Sequence, residues 1–184
     1  MTAVMNAAAE LFAERSPGQV SIREIAERAQ VNHSLVHRHF GTKAELLSAV
    51  MKQTSREYVQ RIESTADPAQ AFREGFLYGA EERPEAAATA RAVLDYEPDP
   101  TVERTFPMMD RHIKVLEAAF AANNAVPRHS PQVIAAAALA LMSGWFILED
   151  WLVEAAALDD RDLGTVRAEI ADILADMVNR ESGL

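Results

Sequence analysis

Apolar positions along the 184-residue chain recur every three or four residues, and polar or turn residues cut the pattern into segments. That period gathers apolar side chains on one face of an α-helix. No run alternates strictly between apolar and polar residues within turn signals, so no strand is expected. Period and punctuation predict about nine helices, over residues 3–14, 21–29, 33–40, 42–65, 68–82, 84–97, 101–123, 130–158 and 162–180. Ser16-Pro17-Gly18 stops the first and Phe40-Gly41 the third, while Pro84, Pro98, Pro100, Pro127 and Pro131 punctuate the later joints. The fourth helix would run roughly 36 Å. The expected fold class is all-α.

Composition narrows this little: 49% hydrophobic and 25% charged residues describe an ordinary soluble globular chain. The absence of cysteine excludes a disulfide framework, a thiol nucleophile and cysteine-ligated metal. A reducing cytosol is the natural home, so a cytoplasmic location is expected. No basic-then-apolar leader opens the sequence, and the longest apolar stretch, 133–148, is shorter than the roughly 20 residues of a membrane-spanning helix. No membrane partner is expected. Charge changes the picture more. Arg15, Arg23, Arg28, Arg38 and Lys43 balance Glu10, Glu14, Glu24, Glu27 and Glu45 in residues 1–50, so the whole net charge of −10 lies beyond them. The sum argues against nucleic acid, because phosphate neutralisation dominates such affinity. The distribution does not, and it divides the chain into two functional parts.

Val20 to Lys43 is the informative segment. Ser21 and Glu24 have capping-box spacing, and Val20 with Ile25 would staple the same helix start. Ile22, Ile25, Ala26 and Ala29 make one apolar face. Gln30-Val31-Asn32 follows, with Val31 plugging the angle and Asn32 capping the next helix. There Val36 and Phe40 point inward, leaving His33, Ser34, His37 and Arg38 outside. Two short helices at a tight turn, the second with a polar outer face, read as a DNA-binding helix-turn-helix.

V-S-I-R-E-I-A-E-R-A-Q-V-N-H-S-L-V-H-R-H-F-G-T-K-A-E-L-L (Val20–Leu47) resembles the N-terminal domain of the TetR family of bacterial repressors, and Ala7–Arg15 resembles its first helix. The rest of the chain resembles the family only in the number, length and order of helices. The likeness implies a helix-turn-helix DNA-binding domain over 1–46 and a larger helical ligand-binding and dimerisation domain over 47–184. It also implies a ligand-responsive homodimeric repressor on a palindromic operator, without a cofactor. Two positions depart from the family pattern. Gln30 stands where glycine is usual, so a non-glycine residue must take a strained backbone or the turn must shift. His37 replaces a tyrosine that contacts the DNA backbone, and no basic arm precedes the first helix.

By position, the resemblance gives His33, Ser34, Leu35, His37 and Arg38 to the major groove. Arg38 suits a bidentate bond to guanine and Leu35 a thymine methyl. Ser21, Arg23, His39, Thr42 and Lys43 fall where the family contacts phosphate. Lys43 and Thr42 open a helix whose dipole favours an anion. For Arg23 and Arg38 the plainer reading is a solvated face. His33 and His37 have the i, i+4 spacing of metal ligands, but no Asp, Glu or Cys in that short helix completes a site, so no metal is expected. Their titration near neutrality suits a pH-sensitive phosphate contact instead.

The eighth predicted helix carries two apolar stripes. One follows Ile134, Ala138, Leu141, Trp145, Leu148 and Leu152; the other follows Leu139, Met142, Phe146 and Val153, with Glu149 interrupting it. The ninth carries Leu163, Val166, Ile170, Ile173 and Met177. A helix apolar on two sides is buried on two sides, and the resemblance implies pairing of the last two helices with their copies. Small residues (Ala135 to Ala138, Ala140, Ser143, Gly144) permit close approach. Phe72, Phe76, Tyr78, Tyr96, Met108, Met109, His112, Met142, Trp145, Phe146 and Glu149 are candidates for a pocket taking a small, hydrophobic inducer, and ordinary core is the competing reading for each. Glu149 and Asp150 need partners inside an apolar helix. Arg111, the dimer mate or a cationic ligand would serve. The alternative function is a small-molecule-binding helical dimer with weak or lost DNA binding. An enzyme is not expected, since no phosphate loop, zinc motif or nucleophile set is legible.

Overall fold

A computed structural model describes residues 2–94, 106–123 and 127–182. Among them the chain forms nine α-helices and no strand: α1 Thr2–Glu14, α2 Ile22–Arg28, α3 His33–Phe40, α4 Lys43–Arg61, α5 Pro68–Glu81, α6 Arg83–Leu94, α7 Pro107–Asn123, α8 Pro131–Ala155 and α9 Leu163–Ser182. A 3₁₀ turn, Pro17–Gln19, follows α1. The all-α expectation holds. The predicted end of the sixth helix and start of the seventh lie outside the described residues.

Two compact units divide the chain, Met1–Arg56 with Glu82–Glu103 and Glu57–Glu81 with Arg104–Leu184. Packing therefore groups residues differently from the motif-based division at 46/47. The later segment containing α6 joins the first unit, and α4 contributes to both.

In the first unit, Val4, Ala8, Leu11 and Phe12 of α1 meet Ile22, Ile25 and Ala26 of α2, Val36 of α3, and Leu46 and Val50 of α4. Ala88 of α6 belongs to the same core. α6 lies against α1, and the buried alanines on both (Ala7, Ala8 and Ala9; Ala87, Ala88, Ala90 and Ala92) let the backbones approach closely. Burying Phe12 completely contributes about 2–3 kcal/mol of that core.

The second unit packs α5, α7, α8 and α9 against one another. Phe72 and Phe76 of α5, Leu116 of α7, Met142, Trp145 and Phe146 of α8, and Leu174 and Val178 of α9 are buried. Two mid-helix glycines on α5 have a steric reason. A side chain on Gly75 would overlap the Tyr58 hydroxyl and ring, and one on Gly79 would overlap the Phe146 ring. Glycine costs about 1 kcal/mol relative to alanine at such positions, and here it makes room for two aromatic rings.

The helix faces correct the predicted stripes. α8 buries Ile134, Ala135, Ala138, Met142, Trp145, Phe146 and Glu149, so Leu148 leaves the first stripe for solvent and Glu149 sits on the inward face. α9 buries Val166, Ala171, Leu174 and Val178, while Ile173 and Leu163 face outward. Both helices are apolar on two sides, so spacing alone mixes the inward and outward sets.

Two helix ends also differ. α4 stops at Arg61 rather than residue 65, and tighter turns follow, with Glu63 N–H on the Gln60 carbonyl and Thr65 N–H on that of Ile62. α8 stops at Ala155 rather than 158. Ala157 takes φ 54°, Leu158 N–H bonds the Val153 carbonyl and Ala157 N–H that of Glu154. This is a Schellman stop made without glycine. By length and composition alone α8 could cross a membrane, against the sequence reading. Its inward face nevertheless packs on α5, α7 and α9 and holds a paired carboxylate, as a core helix of a helical bundle does.

Candidate nucleic-acid interface and ligand body

The helix-turn-helix is fixed at both ends of its turn. Ser21 accepts from Glu24 N–H (3.2 Å), and the Glu24 carboxylate accepts from the Ser21 amide (2.8 Å) and hydroxyl (2.7 Å). These bonds, then Arg15, hold the Glu24 carboxyl down to about 2. Ala29 ends α2, Gln30 takes φ 54°, Gln30 N–H bonds the Glu27 carbonyl and Val31 N–H that of Ala26. That is a Schellman motif with glutamine at its left-handed position. Of the two outcomes expected at Gln30, the strained backbone is the one adopted. Asn32 then caps α3, accepting from the Ser34 amide (2.9 Å) and hydroxyl.

α3 buries Val36 and half-buries Leu35 and Phe40, leaving His33, Ser34, His37, Arg38 and His39 exposed. His33 and His37 meet edge-to-face at 4.7 Å, and His37 Nδ1 lies 3.0 Å from the Gly41 carbonyl oxygen. The other arginines of this region are engaged: Arg15 with Glu24, Arg23 with Glu27, and Arg28 with Glu10 and Glu14. Among the described residues Arg38 has no hydrogen bond or ion pair. It is the basic group left for an outside partner on this helix.

The start of α4 departs from the simple anion-site picture. Glu45 accepts from the Thr42 amide and hydroxyl (2.8 Å each), and Thr42 accepts from Glu45 N–H, a second capping box. Lys43 Nζ donates to the Gly18 carbonyl (3.2 Å). Ser21 and Thr42 are thus cap residues first, and an anion at Lys43 would meet the Glu45 carboxylate as well as the helix dipole.

In the second unit the structure brings most pocket candidates together. His112, fully buried, stacks on Phe72 (centroids 3.8 Å, 12°). Phe76 meets Phe146 at 5.6 Å and Trp145 at 6.3 Å. Met142 is buried, Met108 and Met109 are half-buried at the start of α7, and Tyr78 lies edge-on to Tyr58. Tyr96 lies outside the described residues. Tyr58 was not among the candidates, yet its hydroxyl pairs with His112 Nε2 at 2.6 Å. Its signal in the sequence was faint, a single aromatic in line with Val50, Thr54 and Ile62. Burial, with nearby Arg111, pushes the His112 imidazole down to about 3, so it is neutral. Burial also drives the Tyr58 phenol above its usual range.

Glu149 is satisfied within the chain. Arg167 holds it bidentately (2.7 and 2.6 Å), and Trp145 Nε1–H donates to it at 2.8 Å. Arg111, one of the partners suggested by sequence, instead donates through Nη2 to the carbonyls of Ile62 (3.0 Å), Glu63 (2.8 Å) and Thr65 (3.1 Å), capping the end of α4. The buried carboxylate therefore gives no reason for a cationic ligand.

Residues 4–50 match the bacterial regulatory proteins of the tetR family. Over 177 residues the chain is 33% identical to an HTH-type transcriptional repressor of Mycobacterium tuberculosis, covering 94% of this chain and 86% of that protein. The chain belongs to the tetR family of transcriptional regulators. The TetR fold extends along the chain. A solved tetR-family regulatory protein from Rhodococcus RHA1 aligns with a TM-score of 0.69 at 19% identity, over 96% of this chain and 95% of that one. A SmeT–triclosan complex aligns at 0.65 and 17%, over 97% and 88%. The family match spans both helices of the helix-turn-helix, α2 and α3.

Proposed function

We propose that this TetR regulator is a homodimeric repressor that binds a palindromic operator and is released by a small, hydrophobic molecule. The observation that carries the reading is α3: capped by Asn32, anchored by Val36, and presenting an Arg38 that has no partner among the described residues. The repressor named among its relatives and the triclosan complex among its structural neighbours support it. Residues 1–46 serve as the DNA head and 47–184 as the ligand-binding and dimerisation part, acting in the cytoplasm. His33, Ser34, Leu35, His37 and Arg38 read the major groove, while Ser21, Arg23, His39, Thr42 and Lys43 meet phosphates.

The dimer forms through α8 and α9. Val133 (56% exposed), Leu148 (45%), Trp151 (63%) and Ile173 (59%) are large apolar side chains left uncovered. Ala137, Ala140 and Gly144 fall on the Val133–Trp151 face of α8, and a side chain on Gly144 would meet nothing within 4 Å. Two heads one DNA turn apart then match a palindrome. The inducer occupies the aromatic body of the second unit. To clear an operator almost completely it must favour the non-binding arrangement by roughly 5 kcal/mol.

Fluorescence anisotropy with the DNA upstream of its own gene, at two salt concentrations, tests this. Tight binding falls steeply with salt. Arg38→Ala weakens it by about 1–3 kcal/mol, and Lys43→Ala lowers the salt slope by about one per protomer. Uniformly weak binding to all DNA favours the alternative, a small-molecule-binding dimer.

A further inference from the structure

The Tyr58–His112 pair leaves one buried polar atom unmet. His112 Nδ1 has no hydrogen-bond partner among the described residues, although the residue is completely enclosed. The pair has two proton arrangements. If His112 Nε2–H donated to the phenol, the Tyr58 hydroxyl hydrogen and the Nδ1 lone pair would both lack partners. If the Tyr58 hydroxyl donates to Nε2, the neutral ring carries its proton on Nδ1, and a single N–H donor is orphaned. The second arrangement leaves fewer unmet groups. An orphaned buried donor costs about 1–3 kcal/mol, and native proteins keep few of them without a use.

The surroundings define what would meet that donor. Phe72 covers one face of the imidazole, Tyr58 lies edge-on at 5.7 Å, and no acidic group within the pair's hydrogen bonds offers a counter-charge. Arg111 is adjacent in sequence and cationic, which disfavours a positive ligand. Glu149, the one buried carboxylate of the described residues, is committed to Arg167. We infer that His112 is the polar anchor of the ligand site, its Nδ1–H donating to a carbonyl-type oxygen of an uncharged, largely apolar small molecule. This rests on the reading of the second unit as the ligand body. The partner on the other ring nitrogen, Tyr58, belongs to α4, so the anchor touches the helix that contributes to both units.

Acetophenone and ethylbenzene are suitable probes, since they share shape and differ in the carbonyl. Nuclear magnetic resonance of the full-length protein with ¹⁵N-labelled histidine reads both binding and the ring. In the wild type, acetophenone moves the His112 Nδ1–H signal and ethylbenzene does not. His112→Phe keeps the stack on Phe72, and there the preference for acetophenone falls about tenfold. Acetophenone that binds without moving the Nδ1 signal overturns the anchor, a result read on the wild type alone. So does an unchanged preference in His112→Phe. Equal binding of both probes leaves the ligand body standing without this anchor, whereas binding of neither overturns the body and the anchor together.

Discussion

Gln30 holds a left-handed backbone that a side chain resists by roughly 1–2 kcal/mol. Gln30→Gly should therefore raise stability by about 1 kcal/mol in urea denaturation, less what glycine adds to the freedom of the unfolded chain. An unchanged or lower midpoint would contradict the strain. This position was legible through the family resemblance, which puts a glycine where this chain has Gln30. Ala157 was not legible. It makes the same stop after α8, but alanine carries no turn signal, and the helix was read three residues too long. His112 was legible as a candidate by type alone. Its hydrogen bond to Tyr58 spans 54 positions, which no local pattern encodes.

At the scale of elements, the α8–α9 contact turns on Glu149 and Arg167. The carboxylate is 1% exposed and the guanidinium side chain 23%. Removing one member of a buried pair costs about 3–5 kcal/mol, because the other charge stays desolvated. Arg167→Ala should lose an amount in that range, and adding Glu149→Gln should recover part of it, since a neutral amide still accepts from Trp145. A double variant less stable than Arg167→Ala would contradict this account. Sequence reasoning saw that Glu149 needed a partner and offered Arg111, the dimer mate or a cationic ligand, not Arg167. Arg111 is taken up by three carbonyls that α4 leaves open when it ends at Arg61, and helix ends are what periodicity reads least well. α6 gave a similar lesson. No local pattern marks its alanines, and only packing assigns Ala88 to the core of the helix-turn-helix.

For the whole molecule, the acidic excess lies beyond residue 50 and leaves residues 1–50 neutral, and α8 and α9 expose the large apolar side chains on which the proposed dimer rests. Leu148→Glu combined with Trp151→Glu should convert a dimer to a monomer in sedimentation velocity, with helical content preserved. A wild type that sediments as a monomer at micromolar concentration would contradict the proposed interface. The class of fold and the helix-turn-helix were readable because local patterns and a short motif carry them. The inward and outward faces of the last two helices were not, because both are apolar and only the packed structure separates them.

The most direct test of the central claim is selection of fragments of the source genome by the purified protein, followed by sequencing. The account predicts enrichment of a palindrome with half-sites about one helical turn, roughly 10 base pairs, apart. Arg38→Ala should relax preference at one position in each half-site. No enriched sequence, or an enriched motif without two-fold symmetry, would contradict a homodimeric repressor that reads DNA through α3.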